Sequence, residues 1–308
     1  VPDRYAYLGP PGTFTQQALL STVGADTELV PMPGVPAVCA AVRDGSVEFG
    51  LVPLENSVEG PIPTTTDELV VGQDLQIVRE VFLDVTFVLA ARRGVALGEV
   101  RTVATHPHAE AQVRGWLAAN LPEARYTALT STAEAASRVA DGEYDAAVCA
   151  SIAARNNDLD VLAERIEDSA GAVTRFAVLA RPGSPPPATG NDRTSFVVHI
   201  RQEQPGALSG VLTELASRSI NLTRIESRPW RERIGEYHFI LECEGHIADP
   251  RVGEALAALH RICADVLFLG SYPRADRANE ALPAYATDEV FDEASQWLAQ
   301  MRGGESTE

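Results

Sequence analysis

The chain contains no lysine: its 25 basic side chains are all arginine, set against 43 acidic ones, for a net charge of −18 over 308 residues. The missing lysine reads as a coding bias. The acidic balance argues against nucleic acid, which needs a basic face to release counterions. It does not exclude small anions, because a few arginines in a cleft outweigh the global field locally. Cysteine is also scarce. Cys39, Cys149, Cys243 and Cys263 lie far apart with no Cys-x-x-Cys pair, so no disulfide framework is expected, and Cys39 and Cys149 sit in apolar runs as small core residues. No apolar run approaches a membrane span. The first residues, Val1-Pro2-Asp3-Arg4, lead directly into a strand-like Tyr5–Leu8, with no leader peptide to read, and a cytoplasmic location is expected.

What is present is an ordinary globular composition, 45% hydrophobic and 22% charged, long enough for two domains. Up to about residue 180 strands alternate with helices. Tyr5–Gly9, Glu28–Met32, Glu48–Leu54, Val100–His106, Arg125–Thr130 and Asp145–Ala150 read as strands, with helical spacing over Thr15–Val23, Pro36–Arg43, Ala109–Leu121 and Ala133–Asp141. This predicts parallel sheets covered by helices. Two extended stretches, Leu75–Arg92 and Val161–Arg181, break the rhythm and predict that the chain leaves one α/β lobe, builds another and returns. Residues 182–190, with four prolines and two glycines, form a linker. Beyond it strand-helix-strand-strand-helix-strand spans Thr194–Leu269, the ferredoxin-like order. Trp230 and Arg231-Glu232-Arg233 read as an exposed loop, Glu289–Met301 as an amphipathic helix, and the tail from Gly303 as disordered.

Polar residues collect where strands end and helices begin, the edge at which open α/β sheets bind ligands. Val52-Pro53-Leu54 runs into Glu55-Asn56-Ser57, an acceptor, an amide and a hydroxyl, followed by Thr64-Thr65-Thr66-Asp67. Gly9-Pro10-Pro11-Gly12-Thr13 resembles a phosphate loop but lacks its lysine; what remains is a tight turn feeding a helix N-terminus that can receive a carboxylate. Thr105-His106-Pro107-His108 has no zinc-spaced partners and favours polar recognition over metal. Ser131-Thr132 opens another helix, and Thr174-Arg175-Phe176 heads an apolar strand, with an arginine able to grip a carboxylate bidentately. Each corner taken alone reads equally well as a cap, a turn or a surface ion pair.

Taken in order, Gly9-Pro10-x-Gly12-Thr13-Phe14, Pro53-x-Glu55-Asn56-Ser57-x-x-Gly60, His106-Pro107-x-Ala109-x-Ala111-Gln112, Ser131-Thr132, and Asp168 followed by Thr174-Arg175-Phe176 resemble prephenate dehydratase. Pro205-Gly206-Ala207-Leu208, Glu226-Ser227-Arg228-Pro229, Gly235-x-Tyr237-x-Phe239 and Glu244-Gly245-His246 resemble an ACT regulatory domain. The resemblance implies a bilobal, periplasmic-binding-protein-like α/β catalytic domain over residues 1–182, with lobe 1 about 1–82 and 164–182 and lobe 2 about 83–163. It implies a linker at 183–190, an ACT domain of βαββαβ order at 191–272 and an extension at 273–308. It implies loss of carbon dioxide and the ring hydroxyl from prephenate, giving phenylpyruvate with no cofactor and no metal. Thr174 would assist the leaving hydroxyl and Arg175 would orient a carboxylate, with Asn56, Gln112 and, more cautiously, Glu55 beside them. Thr13, Ser57, His106, Ser131, Thr132 and Phe176 would contact substrate. L-phenylalanine would act as effector at Pro205–Leu208 and Glu226–Pro229, between ACT domains paired in a homodimer or homotetramer. The family usually carries Asn two residues before Thr-Arg-Phe; Ala172 stands here, so a neighbour would have to substitute or activity would be lower.

Other readings stay open on the residues alone. Arogenate differs from prephenate by an amino group for a keto group, and nothing here decides between them. Two lobes joined by two crossings also describe proteins that close on a ligand without chemistry.

Overall fold

The computed structural model describes residues 3–24, 26–70, 74–201, 204–229, 237–276 and 282–303. The Trp230–Arg233 loop, Gly235 and the tail beyond residue 303 lie outside the described residues. The chain forms two compact units, one of residues 1–68 and 81–181, the other of 69–80 and 182–308.

Residues 4–181 hold two sheets, with 69–80 grouped in the second unit. The chain lays down β1 (Arg4–Leu8), α1 (Phe14–Leu20), β2 (Glu28–Met32), α2 (Val35–Arg43), β3 (Phe49–Asn56), the two-residue β4 (Gly60–Pro61), α3 (Pro63–Val70) and β5 (Gln76–Asp84). A second sheet follows, from β6 (Val88–Ala91), β7 (Thr102–Thr105), α4 (Pro107–Asn120), β8 (Arg125–Ala128), α5 (Thr132–Ala140), β9 (Ala146–Cys149), α6 (Ser151–Asn156) and β10 (Asp160–Glu164). Then β11 (Val173–Ala180) returns to the first sheet, giving strand orders β2-β1-β3-β11-β5 and β10-β6-β9-β7-β8.

The apolar runs have the composition that sheets covered on both faces demand. Along β6 and its approach, Phe87, Leu89 and Ala91 pack into one cluster with Val103, Val113 and Val148, while Val88 and Ala90 pack into another with Ala104, Ala136 and Ala147. The first cluster lies under α4 and the second under α5 and α6. Cys149 belongs to the second, and burial pushes its thiol up to about 12, as befits an inert core residue.

Both long extended stretches are interrupted. Residues 85–87 separate β5 from β6, and residues 165–172 separate β10 from β11, because in each case the two strands serve different sheets. The six residues of α6 were not read from the sequence, being too short to show a helical period.

In the second unit, β12 (Asp192–His199), α7 (Ala207–Ala216), β13 (Leu222–Pro229), β14 (Tyr237–Glu244), α8 (Pro250–Ile262) and β15 (Asp265–Pro273) form an antiparallel sheet of order β13-β14-β12-β15. This is the βαββαβ arrangement expected. Phe196, Val198, Leu241 and Cys243 meet Val211, Leu215, Val252 and Leu259 of the helices in one core. A last helix, α9 (Asp288–Gly303), leaves Trp297, Leu298 and Met301 exposed.

Arg193 of β12 is 4% exposed and meets Glu80 at 2.5 Å and Asp276 at 3.1 Å, with Glu242 at 4.0 Å. The other Glu80 oxygen accepts the Ala275 N–H at 2.8 Å. A buried cation so surrounded is costly to remove, since it leaves carboxylates without compensation. Arg193→Met is therefore expected to destabilise the second unit by about 3–5 kcal/mol, read as a lower urea midpoint at unchanged slope.

Candidate active site

Parallel strands finish on a common edge, and each sheet of the first unit presents one. β1 and β3 run parallel, so the loop to Thr13 and the Glu55-Asn56-Ser57 corner leave the first sheet on the same side. β7, β8 and β9 are parallel too, which aligns His106, Ser131 and Ser151 along an edge of the second. The two edges touch. Gly12 has φ +94°, and a Cβ there would stand 3.2 Å from the Cα and Cβ of Ala153 and 3.5 Å from the Ala133 Cβ. The loop opening α1 is thus pressed against the first turns of α5 and α6. Phe14 lies edge-on to Phe87 at 5.4 Å, and Glu59 Oε2 is 2.7 Å from His108 Nδ1.

β11 adds the hydroxyl at this junction. It pairs antiparallel with β3, placing Thr174 opposite Asn56 and Arg175 opposite Glu55. Asn56 Oδ1 accepts the N–H groups of Val58 and Glu59, at 2.8 and 3.1 Å, which turns its Nδ2 toward Thr174; Nδ2 donates to Thr174 Oγ1 at 2.8 Å. Thr174 therefore accepts in this bond and keeps its own O–H to donate. A hydroxyl that accepts a hydrogen bond is polarised into a better donor. Ser57 locks the pair, its N–H donating to the Val173 carbonyl and its Oγ accepting the Val173 N–H, both at 2.9 Å.

Across the pleat the register separates residues that were expected together. Opposed residues share a face and successive ones alternate, so Arg175 and Glu55 occupy the face opposite Thr174 and Asn56. Arg175 is 6% exposed and Phe176 only 1%. Phe176 is a core residue at the head of the apolar run that completes β11.

The helix-opening residues act first as caps. Thr13 donates to the Leu8 carbonyl at 2.9 Å and accepts the Gln16 N–H at 3.4 Å; Ser131 accepts the Glu134 N–H at 3.0 Å. Thr132 follows as the first residue of α5, half-buried. His106 caps α4 through Nδ1, which accepts the His108 N–H at 3.2 Å. That bond requires Nδ1 without a proton, so the neutral ring carries its hydrogen on Nε2 as a donor. Burial, and then the charge of His108, hold His106 below the ordinary imidazole range. Gln112, two turns into α4, is half-buried.

Among the described residues no three His, Cys, Asp or Glu side chains cluster as metal ligands would. Ala172 has an account. It is 6% exposed, lies in the cluster with Val85, Phe87 and Ile166, and its carbonyl accepts the Val85 N–H at 2.7 Å. A polar amide there would face an apolar core.

Sequence reasoning missed Ser151 and the Glu59–His108 pair. Ser151 opens a helix too short to recognise, and the pair joins residues whose proximity only the tertiary fold creates. Together the site offers hydrogen-bond donors and helix N-termini, partial positive charge suited to an anion, with no net basic patch.

Residues 5–184 match the family model for prephenate dehydratase, and residues 194–261 match that for the ACT domain. The chain belongs to the prephenate dehydratase family. It is 48% identical over 304 residues to prephenate dehydratase of Amycolatopsis methanolica, spanning 98% of this chain and 99% of that one. It is 47% identical over 310 residues to prephenate dehydratase of Mycobacterium tuberculosis, spanning 98% and 94%. A crystal structure of prephenate dehydratase from Arthrobacter aurescens in complex with L-Phe superposes with a TM-score of 0.91 at 43% identity, covering 97% and 99% of the two chains.

Prephenate dehydratases of this architecture carry an ACT domain, and here its expected effector residues fall into two groups. Pro205, Gly206 and Ala207 line a cavity of about 350 Å³ with Arg201 and Ile262, and Leu208 and Phe239 line one of about 370 Å³ sharing Ile200, Gln204 and Ala207 with the first. On β13, Ser227 opposes Phe239, whereas Glu226 and Arg228 lie on the other face, where Glu226 pairs with Arg224 and Arg228. Pro229 ends this edge strand. Within one chain, then, the Pro205–Leu208 turn and Ser227 face the same side, and Glu226 and Arg228 do not.

Because His106 charges less readily folded than unfolded, its contribution to stability is complete above pH 6.5 and is lost as pH falls through the lowered value. Thermal midpoints taken from about pH 8 down to about pH 5 should decline on the acid side. His106→Asn, which caps without titrating, should flatten that decline.

Proposed function

We propose that the chain catalyses the decarboxylating dehydration of prephenate to phenylpyruvate, with Thr174 assisting departure of the ring hydroxyl and L-phenylalanine as effector. The observation that carries the catalytic assignment is the Asn56–Thr174 hydrogen bond at the junction of two sheet edges. Residues 1–182 form the catalytic domain in this reading, 183–190 the linker, 191–272 the regulatory domain and 273–308 an extension.

The reaction breaks the bond from the ring to its carboxylate. Those electrons enter the ring as carbon dioxide leaves, and the hydroxyl on the opposite carbon departs as water, taking up one proton from the solvent. Aromatisation drives the step, and no cofactor is required. What the protein supplies is orientation and stabilisation of the departing oxygen. Thr174 is too weak an acid to surrender its proton, so it acts as a donor whose bond to the leaving oxygen strengthens as charge develops. Asn56 holds that hydroxyl by its lone pair and directs its O–H outward. The Nε2–H of neutral His106, the Gln112 amide and the helix starts at Thr13, Ser131 and Thr132 hold the carboxylates. Arg175, opposite Glu55 in register, is buried beside this pair.

Regulation draws its support from the ACT match, from the L-Phe complex of the Arthrobacter relative and from the cavity at Pro205–Leu208. The module would act as a homodimer or homotetramer in the cytoplasm. Among the described residues no helix is long and apolar enough to cross a membrane.

Purified protein should form phenylpyruvate from prephenate, and L-phenylalanine should change the rate. Thr174→Ala is expected to lower kcat at least about 10²-fold, and Asn56→Ala about 10²–10³-fold, both at near-native thermal midpoints. Leu208→Glu should weaken the phenylalanine response at least about tenfold, since a carboxylate would replace apolar lining, while leaving effector-free turnover intact. Unchanged kcat in Thr174→Ala would end the assignment of that residue.

A further inference from the structure

Beyond its first turn an α-helix consumes its own N–H groups, each bonding the carbonyl four residues back. α4 departs from this in its middle. The N–H groups of Gly115 and Trp116 donate to the two carboxylate oxygens of Asp168, at 2.7 and 2.8 Å. The Asp168 N–H donates in return to the carbonyl of Gln112 at 2.8 Å, the acceptor that Trp116 would use in a regular ladder. A residue far along the chain thus occupies a rung of the helix and caps its second half, a carboxylate at an N-terminus. Gly115 makes room for it: a Cβ there would lie 2.8 Å from Asp168 Oδ1 and 3.1 Å from its Cγ.

The core does not explain this arrangement. Asp168 is exposed, whereas Ile166 and Ala172 on either side of it are the members of its segment that pack into the lobe's apolar cluster. What the three bonds fix is the turn of α4 bearing Gln112. Six residues beyond Asp168 the same segment delivers Thr174 to β11.

We propose that Asp168 is a positioning residue for the dehydration, setting where the Gln112 amide stands relative to the Thr174 hydroxyl. It touches no substrate and acts through Gln112. The inference rests on the reading of Thr174, Asn56 and Gln112 as the group that holds prephenate. Asp168→Asn keeps the shape and one accepting oxygen but sets an N–H group against a helix N–H. Gly115→Ala pushes the carboxylate away without removing it. Both should reproduce the loss expected of Gln112→Ala.

The test is a double-mutant cycle on prephenate turnover with wild type, Asp168→Ala, Gln112→Ala and the double variant, with Asp168→Asn and Gly115→Ala alongside. Assays run well below the lowest thermal midpoint. Asp168→Ala and Gln112→Ala should each lose about 30-fold, carried by kcat with KM little changed. The double variant should be no worse than about threefold below either single one, and Asp168→Asn and Gly115→Ala should fall in the same direction. Multiplied losses of about 10³-fold in the double variant, or native kinetics in Asp168→Ala at a lowered thermal midpoint, overturn the inference and leave the dehydratase reading standing. Absence of turnover in the wild type overturns both.

Discussion

The first unit depends on one strand entering a sheet against its direction. β1, β2 and β3 are parallel, and β11 inserts antiparallel beside β3 after the chain has built an entire second sheet. Only an antiparallel neighbour brings the start of one strand to the end of the other, and so sets Thr174 opposite Asn56. The Asx turn at Asn56 and the two hydrogen bonds between Ser57 and Val173 then hold the pair at the strand ends. The rest of the site is arranged around that point.

In a chain carrying −18 overall, any positive potential where the two sheet edges meet is local rather than global. The edges that meet at Gly12 bring helix N-termini, a neutral imidazole donor and side-chain amides. Such groups attract an anion without the desolvation cost of a buried lysine or arginine, and they require no reorganisation when charge moves. Arg175 stands opposite Glu55 in the register of β3 and β11 and is buried.

The second unit solves a different problem. Its sheet covers one face with α7 and α8 and an apolar core, whereas Arg193 and its acidic neighbours Glu80 and Asp276 make buried polar contacts that apolar packing would not specify. Networks of this kind add little net stability but penalise misplacement of any member strongly. Glu80 belongs to β5, whose last residues, 81–84, belong to the first unit.

Much of this was legible in the sequence for a definite reason. Alternating apolar strands and helices, the proline-rich break after Arg181 and the βαββαβ order are local patterns with their own periods, and each survives folding unchanged. The ordered corners Glu55-Asn56-Ser57, His106-Pro107 and Thr174-Arg175-Phe176 carried the family resemblance because each is a short run read directly along the chain. The tertiary structure alone decided which members of those motifs face one another. Pleat alternation set Thr174 and Arg175 on opposite faces, and core packing buried Phe176. The capping bonds of Thr13 and Ser131, and the donor left on His106, follow from helix starts fixed by neighbouring strands. The Asp168 wedge in α4 and the Glu59–His108 pair join residues about 50 positions apart, and no local pattern records a contact of that range. A side chain's identity is written in the sequence, but the direction of its hydrogen bond is set by the groups that the fold brings within reach.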